Sequence, residues 1–300
     1  MPQIKAIGLT LEYESRGDPN GETVLLIMGL GGQMTRWSAA FTDKLVARGY
    51  RVVLFDNRDV GRSEKLDAAG APDMGAVVAA LAAGEKPPVA YALSDMAADA
   101  VGLLDALGIE RAHIVGASMG GMIAQLVAAD YPERTLSLTS IMSNTGNPDL
   151  PRATPEAMAV INSRGPDPAV DLEGYLAHGV KGSRTIGSPA YPADEVELRQ
   201  RILADYRRSF YPVGFMRQYA GVLASPDRRP KLAKITAPTV VVHGEADPLV
   251  PVEGGRDTAA NIPGAQLKIV PGMGHDLPPA LYDTLVEAIV GVAERARAGA

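Results

Sequence analysis

Residues 115–121 read VGASMGG, which places Ser118 between a glycine two positions before it and glycines two and three positions after it. Such spacing strips bulk from both sides of one hydroxyl. One reading is close helix packing around Gly120 and Gly121. The other is a sharp strand-to-helix turn that lifts Ser118 above a sheet edge as a nucleophile. A serine hydroxyl attacks a carbonyl only when a base removes its proton, so the second reading requires a histidine. The chain has four. His113 lies inside an apolar run and reads as a core imidazole. His178 lies far from any predicted strand. His243 ends a strand and is expected to shape the floor of a site. His275 follows a strand and the turn PGMG, just before the last helix, and is the expected base.

An imidazole base needs a carboxylate to fix its tautomer and steady its charged form. The stretch HGEADPLVP offers Glu245 and Asp247. Asp247 is preferred because Pro248 restricts it to extended backbone; an Asx turn before the proline is the plainer alternative, and Glu245 is the fallback acid. The resulting order, Ser118, Asp247, His275, is the one in which a nucleophile elbow and its partners follow each other along a chain. Negative charge developing on the attacked oxygen needs backbone N–H donors. Met119, next to the nucleophile, is one; Leu30 in MGLGGQ is the other. Gly29 and Gly31 let the main chain approach a substrate, and Trp37 is expected at the same substrate site. A phosphate-binding reading of this glycine-rich loop is weak because no lysine follows.

These residues need a scaffold. The runs VLLIMG (24–29), RVVLFD (51–56), AHIVGA (112–117), TLSLTSIM (135–142), TVVVHG (239–244) and LKIVPG (267–272) are nearly continuous in apolar character, as buried parallel strands are. Residues 4–10 and 11–16 are expected to form a small hairpin before them. Helices are predicted over 37–49, over 95–108 with Ser94 as N-cap, over 119–131 up to Pro132, and after Pro278 and Pro279, with Leu281, Leu285, Ile289 and Val292 on one face. Residues 75–88 fit either a helix or a loop. This alternation predicts an α/β fold, a mostly parallel eight-stranded sheet with helices on both faces. Strand signals vanish between 144 and 236 while prolines recur, so that interval is read as an inserted helical lid on a core of 1–143 and 237–300.

Of 300 residues, 46% are hydrophobic and 21% charged, with a net charge of −6. The acidic balance gives no footprint for nucleic acid or anionic lipid. There is no cysteine, which excludes a thiolate nucleophile, a thiolate metal site and disulfides. No apolar run approaches the roughly 18 residues of a membrane span. The first residues lack a signal-peptide pattern. The expectation is a cytoplasmic protein without cofactor or metal, with its oligomeric state open.

MGLGGQ, DNRDVGRS (56–63), VGASMGG, HGEADPLVP and GMGHD follow one another as in the α/β-hydrolase superfamily. IMGLGG, Trp37 and DNRDVGRS together resemble its aclacinomycin-methylesterase-like branch. The resemblance spans nearly the whole chain and implies hydrolysis of carboxylic esters through an acyl-enzyme. Two departures stand out: Met28 where many relatives have histidine, and Asp59 where many have glycine. Arg58 and Arg62 read either as carboxylate binders or as braces of their loop. Serine rather than aspartate at the elbow sets the chain apart from epoxide hydrolases and haloalkane dehalogenases. The partners so implied are a small ester and water. Lactonase, carbon–carbon hydrolase or perhydrolase activity on the same triad, a cofactor-independent lyase or oxygenase, and a ligand receptor are the rivals. The lid is expected to line the acyl or alcohol pocket with Met, Leu and Tyr side chains, and an aromatic content of 5% argues against a deep aromatic cage.

Overall fold

In a computed structural model, which describes residues 1–299, the apolar runs become eight strands. They are β1 (Gln3–Ala6), β2 (Leu9–Arg16), β3 (Thr23–Ile27), β4 (Arg51–Phe55), β5 (Ala112–Ala117), β6 (Thr135–Ile141), β7 (Thr239–Gly244) and β8 (Gln266–Val270). The sheet order is β1-β2-β4-β3-β5-β6-β7-β8. β1 and β2 pair antiparallel, as do β2 and β4, and every other pairing is parallel.

Every residue of β3, β5 and β7 is buried, because helices cover both faces. Side chains alternate between faces along a strand. Thus Leu25, Ile27, Val53, Phe55 and Ile114 enter one core, and Val24, Leu26, Val52, Leu54 and Val115 the other. Burying each such side chain contributes about 2 kcal/mol. Among the described residues the helices are α1 (Ala39–Val46), α2 (Met74–Ala82), α3 (Leu93–Ala106), α4 (Met119–Asp130), α5 (Pro155–Asn162), α6 (Leu172–Ile186), α7 (Glu195–Arg208), α8 (Pro212–Leu223), α9 (Arg229–Leu232), α10 (Val252–Ala260) and α11 (Tyr282–Ala298). The first core gathers α3 and α4, the second α1 and α11. On α11, Leu285, Ile289 and Val292 are buried on the expected face, with Leu281 just before it. No helix among the described residues is long and apolar enough to cross a membrane.

Several local expectations are corrected. The hairpin turns at Ile7–Gly8, not after Thr10; both residues have positive φ, 42° and 86°. Isoleucine is a poor residue for that region, and its β-branched type hid the turn. α3 begins at Leu93, two residues earlier than Ser94 suggested: the Ala92 N–H donates to the Asp95 carboxylate at 2.7 Å, and Ser94 lies inside the helix. α1 starts at Ala39 because Ser38 accepts from the Phe41 N–H, leaving Trp37 outside it. Residues 75–88 divide into α2, capped by Asp73, and an irregular tail.

Between β6 and β7 lie α5 to α9. α6 packs on α7 through Leu176, Val180, Leu198 and Ile202, a small core of its own. The interval does not behave as one piece. Leu232 and Ile235 join the core around α3 and α4, so residues from α9 onward pack with the sheet although they fall inside 144–236.

Candidate active site

The turn from β5 to α4 is as tight as its glycines imply. Ser118 has φ 56° and ψ −124°, a conformation that costs an L-residue about 1–3 kcal/mol. A Cβ on Gly116 would stand 2.0 Å from the Gly120 oxygen, and one on Gly120 would stand 2.1 Å from the Ile27 oxygen. Gly121 is closed against Ser143, whose hydroxyl donates to the Ser118 oxygen at 2.6 Å. Close packing and the elbow are therefore the same fact.

Three side chains converge at the carboxyl ends of the strands. Ser118 Oγ lies 2.9 Å from His275 Nε2, and His275 Nδ1 lies 2.7 Å from Asp247 Oδ2. Asp247 Oδ1 accepts the N–H groups of Leu249 at 2.9 Å and Val250 at 2.8 Å. The Asx-type turn and the carboxylate partner of the base thus coexist in one residue. With Asp247 accepting on all sides, His275 Nδ1 carries the proton and Nε2 is left to accept from the serine. His275 and Asp247 are both buried.

Gly29 sits against the serine, with a would-be Cβ 3.0 Å from Ser118 Cβ. The Gly32 N–H closes a turn on the Gly29 oxygen at 3.0 Å. Among the described residues, neither the Leu30 nor the Met119 N–H is hydrogen-bonded to a protein acceptor. Gly31 lines a cavity that opens above the triad; its N–H donates to Gln218 Oε1. Trp37 does not reach it. Its indole is buried in the second core, stacked on Phe41 at 5.3 Å, and the substrate role expected of it is corrected.

The other histidines serve elsewhere. His113 is buried between Ser137 Oγ at 2.8 Å and Glu22 at 3.1 Å. His243 Nε2 donates to the Val250 oxygen at 2.8 Å, and burial lowers its pKa below the ordinary imidazole value. It lies beneath Asp247, 3.6 Å away. His178 lies on α6 at the cavity wall. Glu245 is not a partner of His275. Arg58 braces, since it forms a bidentate pair with the buried Asp99 at 2.6 and 2.7 Å.

A family model for the alpha/beta hydrolase fold matches residues 22–278. The chain belongs to the α/β-hydrolase fold family. This α/β hydrolase is 30% identical over 298 residues to rhodomycin D methylesterase of Streptomyces peucetius, with 94% of each chain covered. It is 30% identical over 280 residues to a 2-hydroxy-6-oxononadienedioate/2-hydroxy-6-oxononatrienedioate hydrolase of Dechloromonas aromatica, covering 90% of this chain and 85% of the other. The meta-cleavage product hydrolase from Pseudomonas fluorescens IP01 superposes with a TM-score of 0.77 over 99% of this chain and 98% of that one; at 20% identity it speaks for the fold alone. Hydrolase is the enzyme class, and the methylesterase relatives support ester hydrolysis.

Above the triad of this hydrolase opens a cavity of about 1410 Å³ between the sheet edge and α5 to α8. Met142, Met216, Leu198 and Leu249 line it together with the aromatic side chains of Tyr175, Phe210, Phe215, Tyr219 and Tyr282. Tyr175 and Phe210 meet edge-on at 5.8 Å.

Contacts from the inserted helices to the site were not legible beforehand. Asp59 has φ 68°, a backbone region that suits the glycine of many relatives. Its carboxylate instead binds Arg217 of α8 at 2.7 and 2.8 Å and the Tyr91 hydroxyl at 2.8 Å. Burial would raise the Asp59 pKa, but Arg217, the Leu66 N–H and Tyr91 outweigh it and hold the group below the usual carboxylate value. The loop bearing His275 is fastened from the end of α6 onward. The His275 N–H donates to the Ile186 oxygen at 2.7 Å, the Gly274 N–H to Ser188 Oγ at 2.9 Å, and the Ala190 N–H to the Gly272 oxygen at 3.2 Å. Asp276 accepts from the Ser188 N–H at 3.1 Å and from its hydroxyl, and burial raises the Asp276 pKa. The one signal in the sequence was an aspartate directly after the base, in GMGHD.

Proposed function

We propose that this hydrolase cleaves a carboxylic ester with a bulky acyl or alcohol part through an acyl-enzyme on Ser118. His275 Nε2 takes the serine proton as Oγ attacks the carbonyl, and Asp247 steadies the imidazolium. The Leu30 and Met119 N–H groups hold the oxyanion, each worth about 3–4 kcal/mol of transition-state stabilisation. His275 then returns the proton to the leaving alcohol. Water, activated by the same imidazole, attacks the acyl-enzyme and frees the acid.

The observation that carries this reading is the continuous line Ser118 Oγ, His275, Asp247 at 2.9 and 2.7 Å, together with the Leu30 and Met119 N–H groups, which have no protein acceptor among the described residues. Bulk is argued from the cavity of about 1410 Å³, larger than the roughly 300–1,000 Å³ of ordinary small-molecule pockets. The part of residues 144–236 that carries α5 to α8 acts as the substrate-selecting cap in this reading, with Gly29 and Gly31 at the substrate's reacting end. No metal or other cofactor takes part, and the cytoplasm is the setting, to be checked by localising a tagged chain.

An organophosphonate should label Ser118 and abolish turnover of p-nitrophenyl esters. Ser118→Ala should lower kcat/KM by roughly a thousandfold or more with an unchanged melting temperature. Turnover undiminished in Ser118→Ala, or a label on another residue, would exclude the acyl-enzyme. Parallel assays on a β-diketone and a lactone test the carbon–carbon hydrolase and lactonase rivals.

A further inference from the structure

One face of α8 is built to lie on the loops of the active site. Gly214, Arg217, Gln218 and Gly221 follow the i, i+3, i+4, i+7 spacing of a single helical face. A Cβ on Gly214 would stand 2.0 Å from the Asp59 oxygen, and one on Gly221 would stand 3.0 Å from the Tyr91 oxygen. Between them Arg217 grips Asp59, and Gln218 has 0% exposure. Both ends of the Gln218 amide are used. Oε1 accepts from the Gly31 N–H at 2.8 Å, and Nε2 donates to the Arg58 oxygen at 2.8 Å.

Gly31 is the third residue of the Gly29–Gly32 turn, and its φ is 65°. A positive φ there marks a type II turn, which interconverts with type I when its central peptide rotates. That peptide joins Leu30 to Gly31. In the observed arrangement its N–H faces the oxygen of the buried Gln218; a rotated peptide would lose that bond and turn the Leu30 carbonyl toward the same oxygen, acceptor against acceptor. We propose that Gln218 is a positioning residue for the oxyanion loop: by bonding the Gly31 N–H at one end and the Arg58 oxygen at the other it anchors the whole turn, and with it the place of the Leu30 N–H beside that of Met119. The proposal rests on the acyl-enzyme reading above. It makes α8 part of the catalytic scaffold as well as of the cavity wall.

The test compares Gln218→Met, similar in length and unable to bond, with Gln218→Glu, whose protonated carboxyl keeps both an acceptor for Gly31 and a donor for the Arg58 oxygen. Readouts are kcat and KM for p-nitrophenyl acetate, and inhibition by phenylboronic acid, which forms a tetrahedral adduct with the serine. The expected result for Gln218→Met is a kcat lowered by about 10- to 100-fold with KM within about threefold, and boronate affinity lowered in step with kcat. Gln218→Glu should recover part of both losses. Two results would overturn the proposal: a Gln218→Met enzyme with wild-type kcat, or one with reduced kcat that binds the boronate as tightly as wild type. If Gln218→Met does not fold, Gln218→Glu alone decides, with kcat expected to stay within about tenfold of wild type. A larger fall in kcat, with KM and melting temperature unchanged, would overturn the proposal. Failure of the acyl-enzyme reading would show separately, as activity surviving in Ser118→Ala.

Discussion

Asp247→Asn tests the site more sharply than removal of the nucleophile, because the outcome depends on which atom faces which. In the wild type Asp247 Oδ1 accepts two backbone N–H groups, from Leu249 and Val250, at 2.9 and 2.8 Å. An asparagine must keep its only oxygen in that place, since an NH2 there would confront two donors. Its NH2 group therefore falls where Oδ2 was, 2.7 Å from His275 Nδ1 in the wild type. That nitrogen must then accept, which moves the imidazole proton to Nε2, the nitrogen 2.9 Å from Ser118 Oγ. A protonated Nε2 cannot take the serine proton. The predicted cost is about ten-thousand-fold in kcat, or about 5 kcal/mol, with little change in KM. The assay is steady-state hydrolysis of a p-nitrophenyl ester near neutral pH, with circular dichroism and a melting curve to confirm the fold. A kcat within tenfold of wild type would refute the tautomer argument, even if the three side chains are placed as described.

Two further predictions concern buried charge away from the reacting atoms. Asp59→Asn leaves the Arg217 guanidinium, 2% exposed, without its carboxylate, and should cost about 3 kcal/mol of stability in urea unfolding at neutral pH. Because the Asp59 pKa is lowered by folding, the wild type's advantage should be present above about pH 4, the unfolded carboxylate value, and should fade as pH falls further; an advantage independent of pH would refute the charge-pair explanation. Asp276 has the opposite sign. Burial raises its pKa, so its contribution is fully present below about pH 4 and is lost as pH rises through the folded value. Asp276→Asn, which can still accept from Ser188, should flatten that part of the melting temperature profile, and an unchanged profile would count against a raised pKa.

What the sequence revealed and what it hid follow from the range of the forces involved. The elbow was legible because its demands are local: Gly116 and Gly120 are excluded from bearing side chains by backbone only a few residues or one strand away. The parallel strands were legible because burial on both faces leaves unbroken apolar runs. Asp247 was found through Pro248, again a neighbour. The Ile7–Gly8 turn was missed because a β-branched residue occupies a positive-φ position, and Trp37 was misplaced because a lone tryptophan fits a pocket or a core equally well. Contacts made by the inserted helices left no local trace. Gln218 meets Gly31 across 187 positions, and Arg217 meets Asp59 across 158. Glutamine and arginine on an amphipathic helix look the same whether they face water or a buried loop.

The stitching of residues 186–190 to the loop of His275 has a practical consequence for anyone wishing to retarget the enzyme. Exchanging the whole insertion for that of another hydrolase would alter which molecules fit and would also remove the partners of three hydrogen bonds that fasten the loop of the general base. A graft confined to α5 and the first turns of α6 leaves that seam intact. Selectivity and proton transfer are separable in this chain only on the near side of Ile186.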